Sequence, residues 1–231
     1  MKALLFDAGP IISLTTNNLL WLLAPLKQKF GGEFYLTEGV RKELVEKPLQ
    51  TKKFKFEALQ VQQQIENGVL KVIKNGKIHK KAEQLLDLAN GVFYVNKNHT
   101  LHTLQLGETE SLAAAKLMDI PYIVVDERIT RLLLESPGQM EQLLEKRLHR
   151  DVHVNRGKLR DLHKEIEGVK LIRSFELVTI AYELGLLDGY LVKVPEAKKQ
   201  LLQAVLWGIK LNGCSVGQRE IDEVVNLELK K

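Results

Sequence analysis

Four acids stand out by where they fall in the chain. Asp7 ends the apolar run Ala3-Leu4-Leu5-Phe6, and Asp126 ends Tyr122-Ile123-Val124-Val125, with Glu127 directly behind it. Glu43 falls in a helical stretch after Phe34-Tyr35-Leu36, and Glu110 in the first turn of the helical run opened by Gly107-Glu108-Thr109. A short apolar run without alternation reads as a strand buried on both faces. Acids at the carboxyl ends of such strands lie where open α/β sheets bind their ligands. Four carboxylates can share a pocket while all ionised only if a cation offsets their repulsion. Oxygen ligands without cysteine favour Mg²⁺ or Mn²⁺. Such an ion activates water and stabilises charge on a phosphoryl group, so the chemistry expected of this set is cation-assisted phosphodiester hydrolysis.

Each acid taken alone has a plainer explanation. Carboxylates cap helices and complement the helix dipole in first turns. Asp7 resists that explanation most, because an acid directly after a buried strand has no cap of its own to make.

The intervening chain supplies the elements that would carry these acids. Gly9-Pro10 turns the chain into a helix begun by Ile11, Ile12 and Leu14, and Gly31-Gly32 ends a second helical stretch. Thr37 is a good N-cap for the helix that carries Glu43. Residues 49–67 read as polar and helical, closed by Asn67-Gly68. Val69 to Ile73 and Val169 to Ile172 read as further strands, and Lys77 to Leu88 as a helix. Residues 92–104 carry no clear period. Ser136-Pro137-Gly138 reads as a linker, followed by a charged helical insertion over 139–168. Ser174 reads as the cap of a helix to Leu184, and Ser215-Val216-Gly217-Gln218 has capping-box spacing. Five strands separated by helices predict an α/β fold with a mostly parallel, doubly wound sheet.

Four segments carry a family resemblance. They are Leu4-Leu5-Phe6-Asp7-Ala8-Gly9-Pro10-Ile11-Ile12, Val40-Arg41-Lys42-Glu43-Leu44, Leu106-Gly107-Glu108-Thr109-Glu110-Ser111-Leu112 and Ile123-Val124-Val125-Asp126-Glu127-Arg128. In order and context they resemble the successive acidic motifs of the PIN domain, the family of the VapC-like toxin ribonucleases and their longer archaeal and bacterial relatives. The resemblance covers roughly residues 1–190 and implies a Mg²⁺- or Mn²⁺-dependent ribonuclease. It matches Asp7, Glu43 and Glu110 to the first three acids, and either Asp126 or Glu127 to the fourth. Ser13 falls near the small polar residue such domains carry in the first helix. The implied partners are RNA and, for a toxin, an antitoxin-like protein. The charged insertion at 139–168 and the helical extension at 191–231 depart from a minimal toxin. A PIN-fold module that binds RNA or protein without cutting is the alternative. The haloacid dehalogenase type of phosphatase is disfavoured, because Asp7-Ala8-Gly9 lacks a second aspartate two residues on.

Arg128 and Arg131, just after the fourth acid, are placed to hold a phosphate, although an exposed helix face explains them equally. Lys146, Arg147, Arg150, Arg156, Lys158, Arg160 and Lys164 could track an RNA backbone or simply solvate a helix. His149 and His153 have the i, i+4 spacing of zinc ligands but no third soft ligand nearby. The seven apolar residues Leu201, Leu202, Val205, Leu206, Trp207, Ile209 and Leu211 leave little polar surface on their helix, which predicts a symmetric homodimer, with burial in the monomer as the alternative.

Bulk properties bound these readings. The chain has 231 residues, 45% of them hydrophobic, enough for one large core or two small ones. A net charge of +5 is compatible with nucleic acid without requiring it. The single cysteine, Cys214, excludes an intrachain disulfide and a cysteine zinc cluster. There is no phosphate-binding loop of the P-loop type. Asp7 interrupts the N-terminal apolar run too early for a signal peptide, and no apolar segment approaches a membrane span, so a cytoplasmic protein is expected.

Overall fold

The computed structural model describes residues 2–96 and 99–230. In chain order its strands are β1 (Ala3–Phe6), β2 (Glu33–Thr37), β3 (Leu70–Ile73), β4 (Phe93–Asn96), β5 (His99–Thr100), β6 (Tyr122–Val124), β7 (His153–Val154) and β8 (Lys170–Ile172). The N-terminal helices are α1 (Ala8–Thr16), α2 (Leu23–Phe30), α3 (Glu38–Arg41), α4 (Lys47–Leu49), α5 (Lys55–Glu66) and α6 (Lys77–Asn90). They are followed by α7 (Leu106–Leu117), α8 (Arg128–Glu135), α9 (Pro137–Leu148), α10 (Arg156–Glu165), α11 (Ser174–Glu183), α12 (Ala197–Leu211) and α13 (Gln218–Glu228).

The central sheet has five parallel strands in the order β3-β2-β1-β6-β8. The chain steps outward from β1 to β3, then returns to the other side of β1 with β6 and β8. That reversal puts a topological switch point between the carboxyl ends of β1 and β6, where open α/β sheets form their ligand crevice.

Both faces of the sheet are covered, which is why β1 has no alternation. Leu4 and Phe6 face a core with Phe34, Leu36, Ile11 and Leu14, while Ala3 and Leu5 face another with Ile123, Val125, Leu112 and Ala113. Phe6 and Phe34 are fully buried and meet at a tilt, 5.1 Å between ring centres. Burying a side chain of this size stabilises by about 1.5–3 kcal/mol.

The charged segment at 139–168 is not helical throughout. Between α9 and α10 it contributes β7, which joins β4 and β5 in a small antiparallel sheet of order β5-β4-β7. Met140 and Leu162 bury its apolar side against the Leu85 and Phe93 core. Ser136-Pro137-Gly138 is hardly a linker, since Pro137 already occupies the first turn of α9. α9 ends at Leu148, so His149 and His153 do not share a helix face.

The C-terminal helices extend the first core rather than build a second. Leu202, Leu206 and Ile209 of α12 and Ile221 and Val225 of α13 join the cluster that holds Ile11 and Leu14. Of the seven apolar residues on α12, only Leu211 is exposed. The helix is therefore covered by its own chain and gives a second copy no separate argument. Among the described residues, no helix is long and apolar enough to cross a membrane.

Candidate acidic site at the switch point

Each acid reaches the site through a local feature of the chain. Asp7 follows β1 and occupies the position before α1, yet makes no geometric capping bond to that helix. Its Oδ1 instead accepts the Ser111 hydroxyl at 3.1 Å, which ties the end of β1 to α7. Glu43 comes from the segment after β2. Thr37 caps that segment, with Val40 N–H donating to its Oγ1 at 3.1 Å. The helix then widens into one π turn over Lys42–Glu46. Pro48 gives a reason for the widening, since it brings no N–H to the Leu44 carbonyl and its ring crowds that group. π turns recur at functional sites.

Glu108 enters from the third turn-forming segment. It closes a capping box at the start of α7, its Oε2 accepting the Gln105 N–H at 2.5 Å. Three residues on, Ser111 lies on the same helix face, and Ser111 is what holds Asp7. Glu127 caps α8, its Oε2 accepting the Thr130 N–H at 2.6 Å.

These carboxylates act on one another. Burial pushes the Asp7 carboxyl up to about 6, against the pull of the Ser111 hydroxyl and the Ala8 N–H, with Glu43 adding repulsion. Burial likewise pushes Glu108 up to about 7, opposed by the Gln105 N–H and reinforced by the charges of Glu127, Asp7 and Glu43. Gly107 lies beside Glu43, since a Cβ placed there would meet Glu43 Oε2 at an ordinary contact distance of 4.0 Å. Asp7, Glu43, Glu108 and Glu127 thus form an acidic cluster at the switch point.

The two other acids singled out by sequence, Glu110 and Asp126, lie beside these four and hold other partners. Glu110 points along α3, its carboxylate filling the space over Gly39, and its Oε1 lies 3.3 Å from His79 Nδ1. Gly39 is one helical turn before Glu43, so Glu110 borders the cluster without joining the group of charges that act on Glu108. Asp126 is buried, and both its oxygens accept hydrogen bonds. Its Oδ1 accepts the Ser174 N–H at 2.8 Å, and its Oδ2 accepts the Ser174 hydroxyl at 2.6 Å and the Ser13 hydroxyl at 2.8 Å. Each such buried donor left unpaired costs about 1–3 kcal/mol, so Asp126 acts as a clamp among β6, α1 and α11. Ser13 is accordingly directed at Asp126 and, at 3.4 Å, at the Asn212 carbonyl.

The C-terminal extension closes this clamp from behind. Ser215 N–H donates to the Asp126 carbonyl at 3.0 Å, and Cys214 is buried beside it. Burial and the Asp126 charge push the Cys214 thiol up to about 12, which leaves it unreactive. Arg131 donates to the Ser215 carbonyl at 3.3 Å and pairs with Glu135 at 3.2 Å, so it faces the extension. Arg128 is exposed at the start of α8, beside Glu127.

The donor set suits a hard divalent cation: it is all oxygen, and the chief charge effects on Asp7 and Glu108 come from other carboxylates. Among the described residues, no three such side chains are already gathered closely enough to hold an ion. Side-chain rotations at Glu43, which is exposed, and at Glu127 would be needed to close a shell. The signal for Glu108 was present in the sequence as Gln105-Leu106-Gly107-Glu108, a capping box that turns its acid back toward the helix start. Comparison with protein-family models, with curated proteins and with solved structures returned no match.

Proposed function

We propose that the chain is a PIN-like ribonuclease that depends on Mg²⁺ or Mn²⁺, with Asp7, Glu43, Glu108 and Glu127 as its working acids. The observation that carries this reading is the accumulation of mutually repelling carboxylates at the crevice between β1 and β6, two of them held up to about 6 and about 7. Carboxylates crowded without a cationic side chain among their main neighbours favour a bound cation. Bound there, the ion would supply Lewis-acid polarisation of a phosphodiester. Ser111 fixes the Asp7 carboxylate, and the Gln105 N–H holds Glu108 Oε2. Glu108 would complete the all-oxygen donor set that holds the ion. Arg128, exposed beside Glu127, would meet a flanking phosphate.

A second reading, a PIN-fold module that binds RNA or protein without cutting, draws support from Asp126. That acid is committed to Ser13 and Ser174.

A mixed RNA pool separates the two. Wild type should cleave it with Mn²⁺ and not with EDTA. Glu108→Gln should lower the rate by about a hundredfold, as loss of a directly acting group costs no less than the 10–100-fold seen for supporting ones. Glu110→Gln should stay within about fivefold of wild type. Binding without cleavage under all these conditions would favour the second reading.

A further inference from the structure

A narrow cleft opens beside Glu43, away from the sheet. It measures about 190 Å³ and is walled chiefly by Ile12, Leu44, Val61 and Phe54, with the acids Glu43 and Glu57 also in its lining. Cavities for drug-sized ligands start at about 300 Å³. A cavity of about 150 Å³ takes a single benzene ring. The cleft is therefore sized for one planar ring.

Three features point to what that ring is. Glu43 belongs both to the cleft and to the acidic cluster, so an occupant would lie directly beside the crevice. Phe54, one of the walls, sits in the left-handed region at φ +60 with about half its side chain exposed. A bulky residue held there is strained, and such strain concentrates at ligand clamps. The segment that holds Phe54 is Lys52-Lys53-Phe54-Lys55, all exposed, with Lys53 Nζ 4.6 Å from the Phe54 ring centre. An aromatic wall flanked by lysines matches a base on one side and its phosphates on the other. Sequence-tolerant binding of single strands uses this combination.

We infer that this cleft takes one unstacked base of a single-stranded RNA, stacked on Phe54, with Lys52, Lys53 and Lys55 along the adjoining backbone. The inference rests on the nuclease reading of the acidic cluster, and it favours an unpaired stretch at this pocket, because a paired base cannot leave its stack without added cost.

Binding of a short single-stranded RNA to the full-length chain carrying Asp7→Asn, which prevents cleavage, tests it by fluorescence anisotropy. One abasic nucleotide is moved through the strand position by position. One position should weaken binding about tenfold, the range expected for loss of a stacked base. Phe54→Ala should weaken the intact strand by a similar factor and leave the strand abasic at that position unchanged. Ile12→Trp, at an exposed position on the rim, should fill the cleft and reproduce this pattern. The same sequence as duplex should bind more weakly than the single strand. If the strand binds but neither Phe54→Ala nor any abasic position matters, the base pocket is overturned, the cleft being left to a partner's apolar side chain, while the nuclease reading stands. If no single-stranded RNA binds, both fall.

Discussion

Asp7→Asn is expected to abolish cleavage and at the same time to stabilise the fold above neutral pH. The catalytic loss should be about a hundredfold or more, because a directly acting acid counts for at least as much as a supporting one. The gain in stability follows from linkage. Asp7 has its ordinary value of 3.8 raised to about 6 in the folded chain. The folded state therefore holds the proton more tightly than the unfolded state. The stability this confers is complete below about pH 4 and is lost as pH rises through about 6. Above that, ionised Asp7 is a burden of up to about 3 kcal/mol, at 1.36 kcal/mol per unit. Asparagine removes the charge and keeps an oxygen for the Ser111 hydroxyl. The Tm of Asp7→Asn should exceed that of wild type at pH 8, and the two should converge near pH 4. Equal Tm values at both pH values would mean that Asp7 is neither buried nor crowded.

The largest loss of stability is expected next to the Asp126 clamp. Arg173 is buried between α11 and α13, where it pairs with Glu176 and Glu220 and donates to the Ser215 carbonyl at 3.1 Å. Burial alone would push its proton affinity down, but Glu220 and Glu176 outweigh that and raise it. Glu220 in turn is held below its usual range by Arg173. Its contribution is present above the ordinary carboxylate range and is lost as pH falls through the lowered value. Replacing both acids by glutamine strands a buried guanidinium, a change that costs about 3–5 kcal/mol. Either single replacement should cost much less, because the other acid still pairs with Arg173. Urea denaturation of the three variants would show this non-additivity. The double variant should also loosen the Ser215 segment from Asp126, since Arg173 holds its carbonyl. Additive small losses would mean that the network is solvated rather than buried.

The sheet was legible because its signals are local. Ala3–Phe6 has no alternation since Leu4 and Leu5 face different cores, and the Thr37 hydroxyl makes the capping bond its position implied. The small antiparallel sheet was not legible. Its outer strands have two residues each, and β7 pairs with β4 across some sixty residues of chain. Too little apolar pattern accumulates over two residues to distinguish a strand from a loop. Of the acids, Asp7 announced itself as a charge ending a buried strand. Asp126 carries the same sequence signal, and only its contacts separate the two. Its partners Ser13 and Ser174 are 113 and 48 positions away, and the covering segment at Cys214-Ser215 belongs to the C-terminal extension. Glu108 was passed over for Glu110 because the sequence was not read for helix geometry. Two residues apart on a helix point to different sides, and Ser111 identifies the side that faces Asp7.

The central claim is that Asp7, Glu43, Glu108 and Glu127 together hold a divalent cation. Anomalous X-ray diffraction from crystals of the full chain soaked in Mn²⁺ would test it most directly. The account predicts a manganese peak at the crevice between β1 and β6, within coordination distance of Asp7 and Glu108 and absent from the Asp7→Asn crystals. A well-occupied peak on other ligands, with the crevice empty, would contradict it.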